Sequence, residues 1–88
     1  MQHTQNPTYR ETLEKYDPKL AEYLDTGREF ILTDGALSAK VKTLMTMLCD
    51  AMLTHHDGVK TIADRARSMG ATEEEIVETI RVAMWMGG

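Results

Sequence analysis

Three side chains suited to acid–base chemistry lie close together in the sequence: Asp50, His55 and His56. A carboxylate enclosed in a pocket and an imidazole are groups that proteins often use as general acids and bases. His55 and His56 are neighbours, and consecutive helical side chains diverge by about 100°, so at most one of them is expected in a given site. These three residues are the candidate catalytic residues.

The same residues have other possible roles. Asp50 is alternatively exposed, or paired with a basic residue of a neighbouring helix or subunit. A histidine near the end of a helix is alternatively a cap, because an imidazolium interacts well with the last carbonyl groups. Metal binding needs a third ligand, and the only nearby residues of a suitable type are Asp57 and Cys49. Adjacent histidines without a second spaced pair are a weak metal signal, so no metal and no cofactor is predicted.

The helix that must position these groups is predicted from Ser38 to about His55. At about 100° per residue, one narrow stripe of this helix is polar, and it consists of Thr43, Thr46, Asp50 and Thr54. Asp50 lies about 20° from Thr43 on that stripe, so its carboxylate could enter a pocket on this face. The predicted lining of the substrate pocket is Thr43, Thr46 and Cys49. Cys49 is interpreted as a small buried hydrophobic residue rather than a nucleophile.

A second stripe of the same helix is apolar and is expected to face the core. It consists of Leu37, Val41, Leu44, Met45, Leu48 and Met52.

Capping signals divide the rest of the chain into four more helices. Asn6-Pro7 and Asp17-Pro18 each combine a capping side chain with proline at the first helical position. They predict helices from Pro7 to about Tyr16 and from Pro18 to about Phe30. A fourth helix is expected to start at Gly58, with an apolar face, and to stop at Met69-Gly70. Thr72-Glu73-Glu74-Glu75 is a capping box that predicts the start of the fifth helix, and this helix is expected to end at Gly87-Gly88. No strand-like alternation appears.

The length, net charge and cysteine count of the chain restrict the class of protein. A chain of 88 residues can bury only about 60 to 65 percent of its unfolded surface. Its terminal helix is strongly apolar, so we expect a homo-oligomer. The net charge of −4 and scattered basic residues argue against nucleic-acid binding. One cysteine, no apparent secretion signal and no apolar run of about 20 residues predict a soluble, cytoplasmic protein without a membrane span.

Two segments carry a resemblance to a known family. They are Leu37-Ser38-Ala39-Lys40-Val41-Lys42-Thr43-Leu44 and Gly70-Ala71-Thr72-Glu73-Glu74-Glu75-Ile76, the latter followed by Ile80-Arg81-Val82-Ala83. Together they resemble the carboxymuconolactone decarboxylase-like proteins, which include alkylhydroperoxidase D, over roughly residues 30 to 88. The resemblance implies a small all-α protein that forms trimers or hexamers, with sites between or beneath packed helices.

The peroxidase branch of this family uses a glutamate, a Cys-x-x-Cys pair and a histidine. Alignment without gaps places these at Thr43, His55, Gly58 and Ile62, so none of the four is retained. Dithiol chemistry needs two thiols close enough to form a disulfide, and Cys49 is the only cysteine. Dithiol peroxidase activity is therefore not expected. The decarboxylase branch does not use the cysteine pair, but its substrate carboxylates need cationic anchors, and Lys42, Lys60, Arg65 and Arg67 are weak candidates.

The sequence thus predicts an all-α bundle of about five helices, with residues 1–88 as a single domain, 1–35 as a helical extension and 36–88 as the core. The expected assembly is a homo-oligomer, preferably a hexamer. The leading functional hypothesis is lyase-type acid–base chemistry on a small organic acid. The alternatives are an alkylhydroperoxidase or peroxiredoxin-like activity, which rests on the family label alone, and a non-catalytic oligomeric binding or structural protein.

Overall fold

A computed structural model describes residues 7–87, with side chains from residue 10 onward. Asn6, the predicted first cap, and Gly88 lie outside the described residues. The described chain consists of five α-helices and contains no strand, which confirms the all-α class. It forms two compact units that divide between Thr33 and Asp34.

The first unit is a pair of helices, α1 (Pro7–Tyr16) and α2 (Pro18–Leu32), packed against each other. Asp17 caps α2 as predicted, because its side chain accepts a hydrogen bond from the Leu20 backbone N–H at 3.2 Å. Arg10 of α1 forms an ion pair with Asp25 of α2. Helix α2 continues two residues beyond the predicted end at Phe30.

The second unit is organised around α3 (Ala39–Met52), which packs against both α4 (His56–Ser68) and α5 (Glu73–Gly87). Ser38, where the sequence predicted this helix to begin, caps α3 by accepting a hydrogen bond from the Val41 N–H at 3.1 Å. The apolar face predicted for α4 is confirmed, because Ile62, Ala63 and Ala66 are buried. The buried apolar residues of this core are Met47, Ile62, Ala63, Ala66, Ala71 and Ile76.

The face that α3 turns inward is not the apolar stripe that the sequence predicted. The buried residues of α3 are Thr43, Met47 and Asp50, at i, i+4 and i+7. Most of the predicted apolar stripe is exposed, and the exposed members are Leu37, Val41, Met45 and Met52. The prediction was wrong because α4 and α5 approach α3 from the side of Thr43 and Asp50.

Two boundaries at the end of α3 also differ from the prediction. Helix α3 ends at Met52 rather than near His55, and α4 begins at His56 rather than at Gly58. Thr54 has a φ of 60°, in the left-handed region, which an α-helix cannot continue through.

The turn between α4 and α5 follows the prediction. Gly70 has a φ of +95°, the left-handed conformation that favours glycine after a helix. The capping box is formed, because the Thr72 N–H donates to Glu75 Oε1 at 2.8 Å and the Glu75 N–H donates to Thr72 Oγ1 at 3.1 Å.

Within residues 7–87, no helix is both long enough and apolar enough to span a bilayer.

Candidate functional site

Asp50 and His55 are in contact, and this pair is the candidate functional site. The distance between Asp50 Oδ1 and His55 Nδ1 is 3.3 Å. Asp50 is buried, with 5% of its surface exposed, whereas the His55 side chain is 33% exposed. An ionised carboxylate can only accept hydrogen bonds, so a hydrogen bond to an ionised Asp50 requires the proton of the ring to be on Nδ1 of His55.

The backbone at the end of α3 brings the pair together. The Thr54 N–H donates to the Ala51 carbonyl at 3.2 Å, and the His55 N–H donates to the Asp50 carbonyl at 2.8 Å. These two bonds, with residue 54 in the left-handed conformation, form a Schellman motif. In this motif the last residue of the turn lies beside the residue five positions earlier. Here the last residue is His55 and the earlier one is Asp50, so the two are placed against each other.

The end of α4 carries the same motif with different side chains. The Gly70 N–H donates to the Arg67 carbonyl and the Ala71 N–H to the Ala66 carbonyl, both at 3.0 Å. There the two residues brought together, Ala66 and Ala71, are both buried and apolar, which is the usual pairing in this motif. At the end of α3 the corresponding positions hold a carboxylate and an imidazole instead.

The second carboxylate oxygen of Asp50 is buried without compensation. Asp50 Oδ2 has no hydrogen-bond partner among the residues that the structure describes. A buried polar atom without a partner costs free energy, of the order of 1–3 kcal/mol. Such an atom is unfavourable for stability.

His55 lies between two helices, because it follows the C-terminal turn of α3 and is also the N-cap of α4. Its side chain makes no capping hydrogen bond to α4. Capping of α3 carbonyl groups by a histidine ring, which the sequence left open, is not what the His55 ring does here.

The other predicted catalytic residue, His56, is not brought into the pair. It is exposed and is the first residue of α4.

The predicted pocket residues are divided among three environments. Thr43 is buried, and its Oγ1 lies 3.3 Å from the Met69 sulfur. Thr46 is half-buried and donates to the Lys42 carbonyl at 3.1 Å. Cys49 is exposed, so its interpretation as a buried hydrophobic residue was wrong. It lies outside the core because α4 and α5 cover the neighbouring face of α3.

Several charged groups near the α4–α5 turn are engaged in structural contacts. Arg67 binds Glu73 at 2.6 Å and Asp64 at 2.6 Å, so it is not available as an anchor for a substrate carboxylate. The hydrogen bond from Arg67 lowers the pKa of Glu73. The Thr72 backbone N–H, followed by Lys40 Nζ at 3.0 Å, lowers the pKa of Glu75.

A surface cleft of about 390 Å³ lies along α5, away from the pair, and is lined by Glu73, Glu74, Val77, Glu78 and Arg81. Among the described residues no three His, Cys, Asp or Glu side chains lie close enough to hold a metal ion.

Two features of α3 and its C-terminal turn were not predicted from the sequence. The left-handed Thr54 was missed because glycine or asparagine normally marks such a turn, and threonine rarely adopts it. The contact between Thr43 and Met69 joins residues 26 positions apart, and no local pattern indicates it.

The fold and the site define an all-helical protein in which a buried carboxylate contacts a partly exposed imidazole at the junction of two helices. The chain matches the carboxymuconolactone decarboxylase family over residues 18–88, more than half of its length, and it belongs to that family. No curated protein and no solved structure matches the chain.

Proposed function

We propose that this protein is an acid–base enzyme that acts on a small organic acid, with His55 as the proton donor and acceptor and Asp50 as its partner. The observation that carries the proposal is the contact of a buried carboxylate with a partly exposed imidazole. In such a pair the carboxylate fixes the tautomer of the ring and stabilises the imidazolium.

The reaction that we propose is a decarboxylation, in keeping with the family. The carbon–carbon bond to a carboxylate breaks and carbon dioxide leaves. The electron pair passes into the conjugated lactone, and the proton of the His55 imidazolium moves from Nε2 to the resulting carbanion. Solvent then restores the proton to His55. Asp50 stabilises the imidazolium before this transfer and maintains the orientation of the ring.

Dithiol peroxidase chemistry is not part of this proposal. The chain has one cysteine, and Cys49 therefore has no second thiol within the chain with which to form a disulfide. Peroxide turnover with a dithiol reductant that vanished in Cys49→Ser would contradict this exclusion.

We further propose that the protein acts as a cytoplasmic homo-oligomer, with a hexamer preferred over a trimer. Large apolar side chains on α3 and α5 are exposed in the single chain, among them Met45, Met84 and Trp85. A second copy would remove this surface from water.

A non-catalytic oligomeric protein is the second candidate. It is favoured by the enclosure of Asp50, because a carboxylate closed off within one chain is not directly accessible to a substrate. In that case the pair would only join α3 to α4.

The test compares His55→Gln with His56→Gln in carbon dioxide release from carboxymuconolactone and a panel of small carboxylic lactones. General acid catalysis typically contributes about 10²–10⁴-fold, so the first variant should lose activity by about that factor. The neighbouring exposed His56 is the matched control and should retain the wild-type rate. Equal rates for the wild type and both variants would contradict the role of His55. The absence of release from every acid tested would favour the non-catalytic candidate.

A further inference from the structure

We infer that α2 is a self-association surface, through which the α1–α2 pair of one copy packs against the α1–α2 pair of a second copy as a four-helix bundle. The inference rests on the proposed homo-oligomer and names one of its contacts. The observations that carry it are an exposed apolar face of α2 and a glycine at the centre of that face.

One face of α2 is apolar, and no charged side chain interrupts it. Its members recur at intervals of three and four residues, which is the spacing of a seam between packed helices. The two aromatic members, Tyr23 and Phe30, are 72% and 83% exposed. This face, called the α2 stripe, consists of Leu20, Tyr23, Leu24, Gly27, Phe30 and Ile31.

The other two faces of α2 have different surroundings. Ala21 is buried, and Asp25 forms an ion pair with Arg10 of α1, so this side of α2 packs against α1. Glu22 and Glu29 are exposed on a charged face. The α2 stripe is therefore the apolar face that packing against α1 does not cover.

The first unit has almost no core of its own. Among residues 10–33, Ala21 is the only one that is buried. Most of the stability of a short helix comes from packing of its apolar face, and small helical units commonly obtain that packing by association. A second pair of helices against the α2 stripe would give this unit a core.

Gly27 indicates that the covering element is another helix. Glycine weakens the interior of a helix, and no contact within the described chain requires it here. A Cβ at this position would meet no atom of a neighbouring element within 4 Å. Without a side chain, however, the centre of the α2 stripe is a notch where another backbone can approach closely.

A second copy of α2 is complementary to this notch. If a two-fold axis passes beside Gly27, the two glycines face each other and two antiparallel helices can cross at short distance. Positions equally distant from Gly27 then oppose each other. Tyr23 lies against the partner's Ile31. Leu24 lies against the partner's Phe30, so each contact joins an aromatic and an aliphatic side chain.

The exposed apolar area is close to what such a contact needs. An aromatic side chain buries about 150–250 Å², so Tyr23 and Phe30 at their exposed fractions present about 300 Å² together. Leu20 and Ile31, which are 40% and 61% exposed, add about 100 Å². A stable dimer buries about 800 Å² per partner, of which about 500 Å² is apolar in homodimers. The α2 stripe supplies most of this apolar area.

The experiment measures the mass of the full chain by sedimentation equilibrium at micromolar concentrations for Gly27→Ala and Phe30→Lys. Thr26→Ala is the control for the first variant, because it places alanine at the adjacent exposed position outside the α2 stripe. Glu22→Lys is the control for the second, because it places lysine on the charged face of the same helix. Thermal melting checks that each variant retains a cooperative fold.

In Gly27→Ala the contact should weaken by about 10-fold or more, because two added methyl groups overpack the crossing. Helix propensity alone predicts the opposite, since alanine favours a helix more than glycine does. Phe30→Lys should weaken the contact by about 30-fold or more, the usual effect of removing a central aromatic anchor. Both variants should sediment at half the wild-type mass at concentrations where both controls remain assembled. A hexamer of dihedral symmetry contains two-fold contacts, so its loss of the α2 contact would leave trimers.

An oligomeric wild type whose mass is unchanged in Gly27→Ala and Phe30→Lys would overturn the inference and leave the proposed homo-oligomer standing. Equal dissociation in the two controls would also overturn it. A wild-type dimer that both variants dissociate would support the inference and reject the hexamer, whereas a wild-type single subunit would contradict both. Turnover is not measured, so none of these outcomes depends on the proposed chemistry.

Discussion

Asp50 is the residue whose position is hardest to explain by stability. One of its oxygens faces His55 Nδ1 and the other has no partner within the described residues. Enclosing a charge costs several kcal/mol, and a hydrogen bond to a charged group returns only about 1.5–3 kcal/mol. These magnitudes imply that the carboxylate is retained at a net cost to the folded state.

Asp50→Asn should therefore raise the free energy of unfolding at neutral pH, by about 1 kcal/mol. The amide has nearly the same volume as the carboxylate and is less costly to bury. The same variant should lower turnover, because an amide does not stabilise the imidazolium as a carboxylate does. Denaturant unfolding and the carbon dioxide assay give the two measurements.

Asp57→Asn is the matched control for this prediction. Asp57 is exposed in the first turn of α4, where a negative charge is favourable. Its replacement should lower the free energy of unfolding by about 0.3–1 kcal/mol, the opposite sign. A loss of more than about 1 kcal/mol in Asp50→Asn would show that the Asp50–His55 pair is a stabilising ion pair.

At the scale of the element, the capping box of α5 links stability to pH. The pKa of Glu75 is lowered from its ordinary value of 4.5, first by the Thr72 backbone N–H and then by Lys40. A carboxylate with a lower pKa in the folded than in the unfolded chain stabilises the fold above the unfolded value. That contribution disappears as the pH falls through the folded value.

Glu75→Gln should therefore lose less stability than the wild type when the pH falls from about 6 to about 3. Its amide oxygen can still accept from Thr72, so the variant should fold, but it has no proton to gain. Thermal melting across this range is the measurement. Glu74→Gln, one position earlier, removes the same charge without removing the bond to Thr72 and should keep the wild-type pH dependence. Identical pH profiles for Glu75→Gln and the wild type would reject the link.

At the scale of the whole molecule, the main feature is the number of large apolar side chains that are exposed in the single chain. The side chain of Met52 lies beside Gly87, so the C-terminal ends of α3 and α5 adjoin. Each helix carries large exposed apolar side chains, and Trp85 is the most exposed at 85%. A covered tryptophan removes about 200 Å² from water, which is worth about 5 kcal/mol at about 25 cal/mol per Å². A chain with this surface is expected to associate with copies of itself.

Trp85→Lys should shift the protein toward smaller species in sedimentation at micromolar concentration, because a lysine ammonium group resists burial. Thr61→Lys adds the same charge at an exposed polar position of α4 and should leave the assembly unchanged. A wild-type protein that sediments as a well-folded single subunit would contradict the proposed oligomer.

The sequence alone determined the local features of this protein. Helix starts at Asp17, Ser38 and Thr72 were predictable because a short polar side chain bonds to a backbone N–H three residues away. The stop at Gly70 was predictable because glycine adopts positive φ freely. The family was also readable from sequence, since its pattern lies in contiguous segments.

The tertiary structure decided which face of α3 is covered and which histidine meets Asp50. Periodicity located an apolar stripe and a polar stripe, but it could not say that α4 and α5 would cover the polar one. The end of α3 was misplaced because Thr54 adopts a conformation that its residue type disfavours. Such choices depend on contacts between residues distant in sequence, and a local pattern contains no information about them.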